Sequence, residues 1–354
     1  VFDYCVAEVA EKAKSMNGTI IIPSEFRGCV QWESPSNIAL VKYWGKKGVQ
    51  LPQNPSISFT LSECKTVTQI RYEVATSFSL HFSFEGKENP AFAEKIEQFL
   101  MGNIDAFPWL HQLALEVESH NTFPNSSGIA SSASSMSALV LCLLDIERQV
   151  LQRDAIDWQR ASHFARLASG SAARSVFPEM ALWGKTDSFT NSSDEYAVSL
   201  AEHIHPIFKS YRDSILIVSS ATKSVSSRAG HALMENHPYA QARYEQAKRN
   251  TEALLQALKT GDLDCFMRIT ESEAMQLHAL MMCSNPSFIL MKPNTLQIIA
   301  AIRQFREETR LPICFTLDAG PNVHLLYPEQ HASAVASFIE GNLVGFCHEA
   351  RWVN

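Results

Sequence analysis

Four short stretches of the chain carry side chains whose chemistry goes beyond packing. PNSSGIASSASS, Pro124 to Ser135, sets small residues and a glycine directly ahead of an apolar helical pattern. A helix N-terminus offers unpaired N–H groups and partial positive charge, and Ser and Gly let backbone approach an anion. Pro124, Asn125, Ser126, Ser127, Gly128, Ile129, Ala130, Ser131 and Ser132 are therefore a candidate seat for a triphosphate; the alternative is a Ser-rich linker. Neither G-x-x-x-x-G-K-[ST] nor G-x-G-x-x-G occurs. In VKYWGKKG, Lys42 and Lys46 stand beside Tyr43, Trp44 and Gly45, and on an extended strand they share a face, able to meet an anion or simply solvated. SGSAARS gathers Ser169, Gly170, Ser171, Ala172, Ala173 and Arg174, where an arginine fork could hold two oxygens at once, or where a helix merely ends. Asp318, in TLDAGPN, stands where an apolar strand gives way to a Gly-Pro turn, the place of a turn former or of a functional carboxylate.

The elements that must position these groups follow from periodicity. From Gly28 to Phe84, short β-rich stretches alternate with turn formers and read as strands and hairpins. PAFAEKIEQFLMGNI and FPWLHQLALEVES carry apolar residues at helical spacing, Ser131 to Arg153 repeats Met136, Leu139, Val140, Leu143 and Leu144 on one face, and DAIDWQRASHFARLASGSAARS fits another helix. A turn-rich polar stretch near Asn191 is the expected seam between two lobes, 1–191 and 192–354. Beyond it ILIVSS, CFTLDA and NVHLLYP read as buried strands, and HPYAQARYEQAKRNTEALLQALKTGDL and NTLQIIAAIRQFREET as amphipathic helices.

Composition narrows the function. A chain of 354 residues that is 46% hydrophobic, with a net charge of -7, has ample core and no basic excess for nucleic acid. Its eight cysteines are scattered, with no C-x-x-C pair and no zinc spacing, and read as reduced, mostly buried thiols. No apolar run approaches the roughly 18 residues of a membrane span, the first residues mix acids and lysines, and the expectation is a cytoplasmic protein without a membrane segment. The start at Val1 rather than methionine is expected to reflect a trimmed or partial N-terminus, about which the sequence says no more. The twelve histidines form no usable cluster, and His120 and His324 read as packing or surface residues.

The loop resembles the ATP loop of the GHMP kinase superfamily, and SPSNIALVKYWGKKG, Ser34 to Gly48, resembles the N-terminal signature of the diphosphomevalonate decarboxylase family. SGSAARS and LDAGPNVHLLYP agree in order and separation, and TKSVSSRAGH, Thr222 to His231, is a looser match. The resemblance implies an α+β GHMP-kinase two-lobe fold, with an N-terminal lobe like ribosomal protein S5 domain 2, a ferredoxin-like C-terminal lobe and a site in the cleft between. It implies ATP and Mg²⁺, with metal ligands left unknown, a small-molecule substrate (5-diphosphomevalonate) and a homodimer. Tyr43 to Lys46, Ser169 to Arg174, Ser226 and Ser227 are implied substrate ligands. Asp318 is the implied acid/base group at the substrate 3-hydroxyl, Lys42 tunes its charge, and Arg174 also meets the departing carboxylate. Where the family carries an arginine near the helix PAFAEKIEQF, this chain offers only Lys87 and Lys95, so Lys95 is expected to replace it. Rival readings are a kinase acting on the 3-hydroxyl of mevalonate or its monophosphate, a monophosphate decarboxylase, and a silent ATP and metabolite sensor.

Overall fold

Two long antiparallel strands organise the chain. In a computed structural model that describes residues 20, 22–123, 129, 131–221 and 227–353, the last group without the side chains of 227 and 228, β1 (Arg27–Val41) pairs with β2 (Ser56–Val74). The pairing runs from Arg27 opposite Glu73 to Val41 opposite Ile57, with bulges that re-aim the strand ends. β3 (Ser79–Phe84), the two-residue β4 (Lys87–Glu88), β5 (Leu113–Asn121), β6 (Met180–Trp183) and β7 (Ala197–Ser199) complete a seven-stranded sheet. β5 lies on the C-terminal half of β2 and β6 on its N-terminal half.

The segment FPWLHQLALEVES, expected to be helical, is instead a short turn of 3₁₀ helix and then β5. Leu113, Leu115, Val117 and Ser119 alternate inward with outward Glu116 and Glu118, so the period of two prevails once β2 and β3 flank the segment. On this sheet pack α1 (Pro90–Met101), α2 (Ser131–Val150), α3 (Trp158–Ala168) and α4 (Ala172–Ser175). α2 is buried almost all round, as its run of small and apolar residues requires. The single helix expected across DAIDWQRASHFARLASGSAARS breaks at Ser169, whose extended backbone (φ -159°, ψ 119°) redirects the chain and turns Arg174 inward.

The chain passes the seam expected at Asn191 and still adds β7 to the first sheet; the second sheet opens at Tyr211. That sheet is antiparallel, in the order β9 (Cys314–Thr316), β10 (Val323–Pro328), β8 (Tyr211–Leu216), β11 (Trp352–Val353). With it fold α5 (Ser227–Ala232), α6 (Ala240–Thr260), α7 (Leu263–Met282), α8 (Pro293–Thr309) and α9 (Ala332–Phe338). One apolar cluster joins the sheets: Ile38, Leu40, Val41 and Ile57 pack with Leu254, Phe266, Ile269 and Leu326. The C-terminal end of β1 is thus covered on both faces, and the residue that follows it is delivered to the junction of the two layers. Cys64, Cys142, Cys314 and Cys347 are buried free thiols, and no described helix is long and apolar enough to cross a membrane.

Candidate active site

Lys42 follows β1 directly and its side chain is 2% exposed. Its ammonium donates to the Ala39 carbonyl and, at 3.1 Å, to Asp318 Oδ1. Burial draws the lysine pKa down, and the Asp318 carboxylate opposes that. Asp318 itself is 32% exposed, so the pair forms the floor of a surface open to solvent. The turn after Asp318 is closed by backbone, Gly320 N–H donating to the Asp318 carbonyl at 2.7 Å, while the carboxylate reaches Lys42. That carbonyl also accepts from His278 Nε2–H at 3.1 Å. Burial holds the His278 pKa at about 4, so the ring is a neutral donor near pH 7.

Arg174 lies beside this pair, buried, with its guanidinium fork on neutral acceptors: Nε to Ser58 Oγ (3.0 Å), Nη1 to Ser56 Oγ (2.7 Å) and Nη2 to Asn37 Oδ1 (3.1 Å). Burial draws its pKa down to about 10, against the pull of Asp318 and Tyr43. The Tyr43 ring packs on Trp183 (4.6 Å) and His231 (4.3 Å), and Trp44 on His231 (4.8 Å). Tyr43 Oη is buried with no partner among the described residues. Two glycines make this layer possible. Gly45 has φ +101° and a Cβ there would lie 2.3 Å from Tyr244 Oη, while a Cβ on Gly170 would lie 2.9 Å from Tyr43 Oη. Gly45 N–H donates to His231 Nδ1 at 3.0 Å, and burial, with Lys46 and Arg174 nearby, holds that histidine neutral with a pKa of about 3. Lys46 reaches Gln50 Oε1 at 2.6 Å.

The fold therefore gathers Lys42, Tyr43, Trp44, Gly45, Lys46, Arg174 and Asp318 around one junction, with Ser169 to Ala173 on the turn that carries Arg174 and the Ser171 carbonyl accepting from Asn37 at 3.2 Å. Lys95 does not join them. Its ammonium sits over Phe92, 5.4 Å from the ring centre, and Phe92 packs on Phe82. Phe82 is in register through Val117 and Ile70 with Val30, near the opposite end of β1 from Lys42. Helix α1 follows its own apolar face onto β3, which takes Lys95 away from the junction. Pro124 to Gly128, Ala130, Ser226 and the Ser227 side chain lie outside the described residues. Ile129 is buried, and Ser131 and Ser132 are exposed at the start of α2. Among the described residues no group of three or more His, Cys, Asp or Glu side chains could hold a metal ion. His324, read as a packing or surface residue, is buried against Asp213 at 2.7 Å.

Sequence reasoning gave no role to Asn37, Ser56 and Ser58, which receive the arginine fork, to His231, or to Arg243, Glu273 and His278. Asn37 gave little signal, since it stands in the turn-like run SPSN that the fold absorbs into the continuous strand β1.

The model of the diphosphomevalonate decarboxylase-like N-terminal domain matches residues 34–197, and that of the mevalonate 5-diphosphate decarboxylase C-terminal domain matches residues 214–350. The diphosphomevalonate decarboxylase of Saccharomyces cerevisiae is 31% identical over 326 residues, which cover 86% of this chain and 79% of the relative. The chain belongs to the diphosphomevalonate decarboxylase family. The Candida albicans relative of that name is 30% identical over 321 residues, covering 86% of each chain. The mevalonate diphosphate decarboxylase structure from Staphylococcus aureus superposes with a TM-score of 0.80 at 26% identity, over 93% of this chain and 95% of the other. A second structure, MDDEF in complex with MVAPP, AMPPCP and magnesium, gives 0.78 at 28% identity, over 93% and 96%. The α+β two-lobe architecture of this decarboxylase-family chain is that of the GHMP kinase fold.

Proposed function

We infer that this chain catalyses the ATP-dependent decarboxylation of (R)-5-diphosphomevalonate to isopentenyl diphosphate, releasing ADP, phosphate and carbon dioxide. The observation that carries the residue assignment is the Asp318 carboxylate held 3.1 Å from a buried lysine, next to a buried arginine whose fork lies on neutral acceptors. The relative solved with MVAPP, AMPPCP and magnesium supports the choice of substrates.

In this assignment Asp318 accepts or orients the proton of the tertiary 3-hydroxyl, and the Lys42 ammonium keeps that carboxylate ionised. Mg-ATP, when bound, supplies the γ-phosphoryl group that turns the hydroxyl into a leaving group and the charge that stabilises its transfer. The residues present fit such a ligand: α2 exposes Ser131 and Ser132 at its N-terminus, the positive end of a 20-residue helix. Arg174 holds the carboxylate in line until carbon 3 becomes electron-deficient and carbon dioxide departs, leaving its electron pair in the new double bond. Tyr43 to Lys46 and the Ser169 to Ala173 turn hold the diphosphate, an anion that keeps the acid seated while the reacting end changes charge. The enzyme is proposed to be a cytoplasmic homodimer, and light scattering tests the assembly.

The decisive assay follows ADP and carbon dioxide together with Mg-ATP and, separately, the diphosphate, the monophosphate and mevalonate. Equal yields with the diphosphate are expected. Removal of the proton acceptor in Asp318→Asn should lower kcat by about 10²- to 10⁴-fold. ADP without carbon dioxide would make the chain a 3-kinase.

A further inference from the structure

We propose that Glu273, Arg243 and His278 are positioning residues that set the Lys42–Asp318 pair, acting as one brace built on helices α6 and α7. The proposal rests on the assignment of Lys42 and Asp318 as the reacting centre. Those two residues are 276 positions apart and come from different sheets, so their separation depends on whatever grips their backbones.

Both are gripped by the same helix pair. The Lys42 N–H donates to Glu273 Oε2 at 2.9 Å. Its carbonyl accepts from Arg243 Nη2 at 3.1 Å and from Asn54 Nδ2 at 3.1 Å. Arg243, on α6, forks onto Glu273 of α7 at 2.7 Å and 2.6 Å, and Asn250 donates to the same carboxylate at 2.6 Å. Further along α7, His278 Nε2–H holds the Asp318 carbonyl at 3.1 Å. One rigid helix thereby fixes the peptide of the lysine at Glu273 and the peptide of the aspartate at His278.

The energetics favour a geometric role over a stabilising one. Glu273 is 0% and Arg243 2% exposed, and a buried ion pair typically adds no more stability than apolar side chains of the same volume. Arg243 Nε is also buried without a partner among the described residues, a cost that a pair present for stability alone would carry to no benefit. What the pair does supply is direction: an anion aimed at the one N–H of Lys42 and a cation aimed at its carbonyl. Both peptide groups are thereby tied to a helix pair, of which α7 also holds Asp318.

The test is Arg243→Met with Glu273→Met, which removes both charges together and leaves no unpaired ion in the core. The expected result is a folded protein whose kcat for joint ADP and carbon dioxide release falls about 10- to 100-fold, the cost of a small misplacement at the reacting atoms. KM for the diphosphate acid should move less than kcat, because Arg174, held by Asn37, Ser56 and Ser58, and the Ser169 to Ala173 turn are not gripped by this pair. His278→Gln, whose amide nitrogen reaches the place of Nε2, should keep kcat, and His278→Leu should lose it. A folded double variant with kcat within about twofold of the parent overturns the proposal. So does equal activity, or equal loss, in the two His278 variants, and that comparison decides the matter alone if the double variant does not fold. Lys42→Met and Asp318→Asn run beside them: activity retained there removes the assignment of the centre, whereas activity lost there and kept in the brace variants removes only the brace.

Discussion

Arg174→Met separates stability from function at this site. The side chain is fully buried, and its three hydrogen bonds, 2.7 to 3.1 Å long, all end on neutral acceptors. Burial holds its pKa at about 10, well below the ordinary arginine range. A depression of that size opposes the charged form by about 3 kcal/mol. Because the folded pKa lies below the unfolded one, this penalty is complete at neutral pH and eases only as pH rises through 10. Methionine removes the penalty and with it the three donors. The hydroxyls of Ser56 and Ser58 can turn to other acceptors, which leaves Asn37 Oδ1 as the lasting orphan, at about 1–3 kcal/mol. The two contributions largely offset, so the net change should lie between break-even and a gain of about 2 kcal/mol, read from urea midpoints at unchanged m-value. Activity should move much further, kcat/KM falling about 10²- to 10³-fold as a preorganised cation is lost. Diphosphomevalonate at a hundred times its Kd should stabilise the parent by about 2.7 kcal/mol and the variant far less. A variant that loses more than about 5 kcal/mol, yet is stabilised by the acid as much as the parent, would show Arg174 to be a structural prop and refute the reasoning.

Other outcomes follow from the same geometry. His231→Leu removes the acceptor of the Gly45 N–H and the ring against Tyr43 and Trp44, so KM for the acid should rise about tenfold with a smaller change in kcat; an unchanged KM contradicts this. Gly45→Ala forces a Cβ to within 2.3 Å of Tyr244 Oη at φ +101°, and a loss of about 1–3 kcal/mol is expected in chemical unfolding, with an unmoved midpoint as the refuting result. His231 and His278 are held at about 3 and 4, below the unfolded value, so the unfolded chain binds more protons between those values and about 6.5. Their contribution is full above pH 6.5 and is lost as pH falls, about 3 kcal/mol for His278 alone. The urea midpoint should accordingly drop between pH 6.5 and pH 4, roughly the window those values define, and less steeply in His278→Gln; parallel curves would dismiss the buried neutral ring as the cause.

The sequence by itself determined the family and the residues with distinctive chemistry. Local composition left Lys42, Arg174 and Asp318 with bland alternatives, and it was the resemblance of their short motifs, which survive in the order of residues, that selected them. Amphipathic stretches such as α6 and α8 were legible because their periodicity is their own. FPWLHQLALEVES was misread because its apolar residues satisfy both periods, and only the flanking strands β2 and β3 select the period of two. Lys95 shows a similar limit: a cation near the expected position says nothing of which face its helix buries. Tertiary structure alone decided what surrounds these candidate groups. Asn37, Ser56 and Ser58 are ordinary polar residues until the buried fork of Arg174 is laid against them. Glu273 meets Lys42 across 231 positions and Asp318 meets it across 276, pairings set by which sheets and helices pack together and carried by no local pattern.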